Sequence, residues 1–90
     1  MKDLKGKLAV ITGGASGVGF AIGEALANEG TKVILTDIEQ ESLESSAAKL
    51  KNKSLDVHFK VADVSNSDSM HELAKWCESE FGSVHLLFNN

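Results

Sequence analysis

Three glycines, Gly13, Gly17 and Gly19, fall within the stretch Thr12-Gly13-Gly14-Ala15-Ser16-Gly17-Val18-Gly19. The chemistry they suggest is the binding of an anion by backbone amides. An apolar run, Leu8-Ala9-Val10-Ile11, precedes the stretch. A helical pattern follows it, with Ala21, Ile22, Ala25 and Leu26 expected on one face. A strand that turns through glycines into a helix points unpaired N–H groups, and the positive end of the peptide dipoles, at whatever lies above the turn. Gly13 is expected to let the chain turn sharply off the strand. Gly17 would leave no Cβ between the backbone and a pyrophosphate, and Gly19 would let the first helical turn pack close to the sheet. No Lys-Ser or Lys-Thr closes the motif, so it does not fit a P-loop. A glycine-rich turn alone can bind nothing; the flanking strand and helix are what weigh towards a nucleotide.

The second candidate is Asp37, about 18 residues after Gly19 at the end of Lys32-Val33-Ile34-Leu35-Thr36-Asp37. In a dinucleotide-binding unit an acid at this place accepts hydrogen bonds from the adenosine ribose hydroxyls. It would repel a 2′-phosphate, most strongly where water is excluded. Gly14, Ala15 and Ser16 carry no positive charge, and Ile38 follows the acid. The expected cofactor is therefore NAD rather than NADP. The alternative for Asp37 is a plain loop acid or helix cap.

The elements that must position these residues alternate. Strands are expected over Leu8 to Thr12, Lys32 to Asp37, Val57 to Val61 and Val84 to Phe88. Helices are expected from about Val18 to Asn28, from Gln40 to Lys51, and from a start near Ser65 to about Phe81. Gly30 and Gly82 are natural helix stops. Ser65 is the expected cap of the third helix, with Asp68 three residues on. Its inward stripe is Met70, Leu73, Ala74, Cys77 and Phe81, and that of the second helix is Leu43, Ala47 and Leu50. Residues 1–7 form a polar lead-in. The order βαβαβαβ implies a parallel sheet with right-handed crossovers, in a doubly wound strand order 3-2-1-4. Residues 1–90 carry no linker or repeat and are expected to form one partial domain. The last strand, as apolar as any, would be an open edge, so the chain is expected to be the front piece of a longer protein.

Bulk properties narrow the function classes. The 90 residues are 42% apolar and 24% charged, a globular composition. A net charge of −4 argues against a nucleic-acid partner. No apolar run approaches the ~20 residues that span a bilayer, and the charged stretch from Met1 to Lys7 has no apolar signal core, so export is not expected. One cysteine, Cys77, leaves no internal disulfide, and together these features fit a cytoplasmic protein. His58, His71 and His85 lack zinc-site spacing, so no metal site is expected. Cys77 on the third helix's apolar stripe reads as a core residue, with Trp76 at its margin.

The separated motifs agree on one resemblance. Thr12-Gly13-Gly14-Ala15-Ser16-Gly17-Val18-Gly19 resembles the Thr-Gly-x-x-x-Gly-x-Gly motif of the short-chain dehydrogenases/reductases. Asp63-Val64 looks like that family's adenine-contacting pair, and Asn89-Asn90 like the start of its Asn-Asn-Ala-Gly motif. The opening from Leu4 to Gly13 is similar to the family's first strand. The resemblance implies a three-layer Rossmann-type fold and an oxidoreductase moving a hydride between a nicotinamide cofactor and an alcohol or carbonyl. It implies that Gly13, Ser16 and Val18 contact the cofactor phosphates, with Gly17 and Gly19 shaping the turn. Asp63 and Val64 would lie along the adenine and Asn90 beside the ribose; Asp37, with Ile38 after it, joins them as an expected cofactor contact on the separate ground given above. Asn89 would tie the fourth strand to its neighbours. A homo-oligomer is also implied for the whole protein. The family's catalytic Tyr-x-x-x-Lys has no counterpart, because the chain has no tyrosine, so no catalytic residue is expected among these 90. Two other accounts stand beside the enzyme: a nucleotide-binding module without chemistry, and an inert truncated product.

Overall fold

The computed structural model describes residues 4–90, so the first three residues of the expected polar lead-in lie outside the described part. The elements are β1 (Leu8–Thr12), α1 (Gly17–Asn28), β2 (Lys32–Asp37), α2 (Gln40–Lys51), β3 (Val57–Val61), α3 (Ser67–Phe81) and β4 (Leu86–Phe88). The four strands form one parallel sheet in the order β3-β2-β1-β4, the doubly wound order expected. Val10 sits between Ile34 and Leu87, and Ile34 in turn lies opposite His58.

Every residue of β1 is buried, because both faces of this central strand are covered. Side chains alternate between the two faces. Ile11, Val33, Leu35 and Val57 pack on Ala27 of α1 and on Leu43, Ala47 and Leu50 of α2. Leu8, Val10 and Ile34 pack on Ala62 and on Leu73 and Cys77 of α3, with Met70, Trp76 and Phe81 at the margin. Each fully buried Leu, Ile or Val contributes about 1.5–3 kcal/mol. Burial pushes the Cys77 thiol pKa up, as befits a core residue. Trp76 meets the Phe81 ring edge-on at 5.3 Å.

Three local expectations are corrected. On α1 the buried line is Gly19, Gly23 and Ala27, with Ile22 and Leu26 half-buried beside it and Ala21 and Ala25 exposed. A Cβ on Gly23 would lie 2.8 Å from Leu35 Cδ2 and 3.3 Å from Ile11 Cδ1. The helix backbone makes the closest approach to the sheet, so the apolar pattern finds Ile22 and Leu26, which pack at the edge of the core, but misses the glycine line between them and the sheet.

At the start of α3 the cap is Asn66, whose Oδ1 accepts the Ser69 N–H at 2.9 Å. Ser65 is already committed. Its N–H and its hydroxyl both donate to Asp63 Oδ1, at 2.9 and 2.7 Å. Ala74 is exposed, whereas the rest of the predicted stripe turns inward.

The third correction concerns β4, which begins at Leu86 rather than Val84. The His85 N–H donates to the Leu8 carbonyl at 2.9 Å, while His85 Nδ1 accepts the Leu8 N–H at 3.1 Å. An imidazole nitrogen thus takes a bond that a strand carbonyl would otherwise accept, and the regular ladder starts only at Leu86.

Candidate functional site

Gly13 leaves β1 with φ +64°, a conformation that L side chains rarely adopt. The Gly14 N–H then donates to the Thr36 carbonyl at 2.9 Å, tying the turn to β2. Ser16 stands at the N-cap of α1, yet its side chain caps nothing. Its N–H and hydroxyl both return to the Gly13 carbonyl, at 3.1 and 2.8 Å. The first helical bond is Phe20 N–H to Ser16 carbonyl at 2.8 Å. Among the described residues, the amides of Gly17, Val18 and Gly19 have no hydrogen-bond partner, the usual state of a first helical turn.

Of the three glycines, Gly19 alone does a different job from the one expected. A Cβ on Gly17 would meet nothing within 4 Å, so this side of the turn is open to an approaching group. A Cβ on Gly19 would lie 2.2 Å from the Gly13 carbonyl oxygen. Gly19 therefore seats the helix on the turn, and the glycine that brings α1 close to the sheet is Gly23.

The end of the chain closes over the same turn. Asn90 Nδ2 donates to Ser16 Oγ at 3.0 Å and to the Gly13 carbonyl at 3.3 Å. The Asn90 N–H donates to Thr12 Oγ1 at 3.1 Å. The Thr12 hydroxyl in turn points its proton towards the Phe88 carbonyl and Asn89 Oδ1, each 3.2 Å away. Asn89 thus ties β4 to β1.

Asp37 ends β2 beside the turn. Its Oδ2 accepts the Ala15 N–H at 3.1 Å, and its Oδ1 accepts those of Ile38 and Glu39 at 2.8 and 3.4 Å. A cleft of about 150 Å³ over the ends of the strands is lined by Gly13, Asp37, Ile38, Ala62, Asp63, Val64 and Asn90. A second hollow, lined by Ala15, Ser16, Asp37, Glu39 and Ser42, adjoins it at Asp37. Gly13, Ser16, Asp37, Ile38, Asp63, Val64 and Asn90, from four separate segments, therefore line these two adjoining hollows. Gly17, Val18 and Gly19 do not line either hollow; Val18 is exposed at the turn.

Ile38 and Val64 leave 62% and 58% of their surfaces exposed, so two apolar side chains border a polar floor. That combination suits a flat, partly apolar ring with polar edges. No basic side chain lines either hollow, whereas Asp37, Glu39 and Asp63 do. Hydrogen bonds from the Ser65 hydroxyl and N–H hold the Asp63 carboxyl below the usual carboxylate range, so it stays charged.

Sequence reasoning missed Ala62 and the Ala15 amide. Ala62 is signalled only by its place beside Asp63. The Ala15 amide has no side-chain signal at all. The histidines lie elsewhere: His58 Nε2 is 2.8 Å from Asp56 Oδ1, its ring packs on Phe81, and His85 holds β1.

A family profile described as short chain dehydrogenase matches residues 7–90. An uncharacterized oxidoreductase of Staphylococcus saprophyticus is 36% identical across the whole chain, which covers 39% of that protein. Tropinone reductase-like 1 of Erythroxylum coca is 37% identical over 99% of this chain and 32% of its own length. The crystal structure of a short-chain dehydrogenase/reductase from Burkholderia phymatum in complex with NAD superposes with a TM-score of 0.91. It is 38% identical over 97% of this chain and 31% of its own. The chain thus spans about a third of the length of the relatives it matches. Among the described residues, no helix is long and apolar enough to cross a membrane. With the glycine turn inside the matched span and the same sheet in its relatives, this chain belongs to the short-chain dehydrogenase family.

Proposed function

We propose that residues 1–90 are the NAD-binding portion of an oxidoreductase that moves a hydride between the dinucleotide and an alcohol or carbonyl compound. The carrying observation is the cleft that gathers Gly13, Asp37, Ile38, Asp63, Val64 and Asn90 beside the turn with its unpaired amides. The amides of Gly17, Val18 and Gly19 hold the pyrophosphate, favoured by the helix dipole and by the open face at Gly17. Asp37 accepts a hydroxyl of the adenosine ribose. Ile38 and Val64 border the adenine, with Asp63 alongside it. Asn90, fixed by Gly13 and Ser16, lies beside the second ribose.

When bound, the nicotinamide supplies the hydride acceptor or donor. These residues bind and orient it. Because the chain has no tyrosine, a proton-transfer acid of the family's usual kind is not among them. In the whole protein the substrate is a small alcohol or ketone and the assembly a homo-oligomer, in the cytoplasm. The family resemblance supports the first two; the single cysteine and the acidic, globular composition support the last.

NAD is preferred because a 2′-phosphate would face the Asp37 carboxylate with no basic side chain nearby. Like charges ~4 Å apart repel by roughly 4 kcal/mol at an effective dielectric constant of ~20. The relative solved with NAD supports the same choice. Calorimetric titration of the chain with NAD and NADP tests the reading. NAD should bind at least ~10-fold more tightly, a difference of about 1.4 kcal/mol. Asp37→Ala should weaken NAD and narrow that ratio. Equal affinities in the unmodified chain, or a ratio untouched by the substitution, would overturn the assignment.

A further inference from the structure

The Ala15 amide is held differently from its neighbours in the turn. Gly14 N–H goes to the Thr36 carbonyl and Ser16 N–H to the Gly13 carbonyl, both backbone atoms. Ala15 N–H instead goes to a side chain, Asp37 Oδ2, at 3.1 Å and from 22 residues away. A carboxylate oxygen offers about two acceptor positions. Oδ1 of Asp37 already receives Ile38 and Glu39 N–H, whereas Oδ2 receives Ala15 alone. Oδ2 is therefore the oxygen with a position left for a ribose hydroxyl, and it is also the atom that fixes the turn.

We propose that Asp37 is a positioning residue for the phosphate-binding turn as well as a ribose acceptor. By fixing Ala15 it sets the loop that leads into the amides of Gly17, Val18 and Gly19. The sugar end and the phosphate end of the site are thereby coupled through one oxygen atom. This rests on the nucleotide reading of the cleft given above.

A probe without a sugar separates the two roles. Inorganic pyrophosphate cannot use a ribose contact, and removing the Asp37 charge should, by electrostatics alone, strengthen its binding. If Asp37 also positions the turn, Asp37→Ala should weaken pyrophosphate instead, by about fivefold, the equivalent of one hydrogen bond. In the ligand-free chain, hydrogen exchange at the Ala15 amide should quicken by a similar factor while Gly14, bonded to Thr36, keeps its protection. Asp37→Ser provides a second variant in case the first does not fold. Its short hydroxyl can still serve the local Glu39 N–H but cannot reach Ala15, so the same two changes are expected. Unaltered Ala15 exchange, or pyrophosphate binding as tight as or tighter than before, overturns the coupling. Failure of the unmodified chain to bind pyrophosphate or NAD overturns the nucleotide reading itself, and the coupling with it.

Discussion

Helices α1 and α3 cover opposite faces of the same sheet by opposite means. On α1 the closest contact is made by the backbone, along Gly19 and Gly23, with Ala27 buried and Phe20, Ile22 and Leu26 packed at its edge. On α3 it is made by side chains, with Leu73 and Cys77 fully buried and Met70, Trp76 and Phe81 around them. The α3 face also keeps an apolar groove of about 230 Å³ between that helix and β4, lined by Val10, Met70, Leu73, Ala74, Cys77, Val84 and Leu87. The difference tracks what each helix must deliver. The first turn of α1 presents amides at a set height above β1, and contact through backbone leaves little freedom in that height. α3 contributes its Leu, Met and Cys side chains to the core, and side chains can repack.

The strongest test of this contrast is Gly19→Ala. Its Cβ would meet the Gly13 carbonyl at 2.2 Å, and neither backbone segment can yield cheaply. A loss of about 3 kcal/mol in denaturant unfolding is expected. Gly17→Ala, two residues earlier, adds its methyl to open space and should leave stability within ~1 kcal/mol of the original. Comparable losses for the two would break the distinction.

Next in size is Leu73→Ala on α3. Deleting a buried leucine side chain costs about 2–5 kcal/mol, and the adjoining groove should let the site relax towards the lower end. NAD affinity should be unchanged once the folded fraction is accounted for. A loss near 5 kcal/mol would show that this face is as rigid as the other.

Thr36→Val should act in the opposite direction. The Thr36 hydroxyl is fully buried without a hydrogen-bond partner, and strand alternation puts it on the α3 face with Ile34. Replacing it by a methyl of similar shape should stabilise the chain by about 1 kcal/mol, read as a higher unfolding midpoint.

The smallest effect concerns pH at the start of α3. Asp63 is held below its usual range by Ser65, so its contribution is complete above the ordinary carboxylate pKa and is lost as pH falls through the lowered value. Ser65→Ala should move the Asp63 titration up in an NMR experiment. The stability gap between the two forms should close on acidification. An unchanged Asp63 titration would show that Ser65 does not hold the carboxyl.

The same contrast explains where sequence reading succeeded. Apolar stripes on α2 and α3 were readable because large side chains mark the inward face. On α1 the innermost positions are Gly19 and Gly23, which carry no hydrophobic signal, so only the flanking Ile22 and Leu26 were legible. The cleft residues Asp37, Asp63, Val64 and Asn90 were readable as motif positions, whereas Ala62 and the Ala15 amide were not, since neither has a polar side chain to announce it.

What the sequence determined alone is local: the apolar β-branched runs, the glycine and polar breaks between them, and the helical periods of α2 and α3. From those came the alternation of elements and the parallel order of the sheet. What only the folded chain decided are contacts between distant residues, among them Ala15 with Asp37, His85 with Leu8, and Asn90 with Ser16. Those pairs form because the registers of β1 with β2 and of β1 with β4 bring their ends together. A residue's type says which bonds it can make; the register of the strands says which partner is within reach.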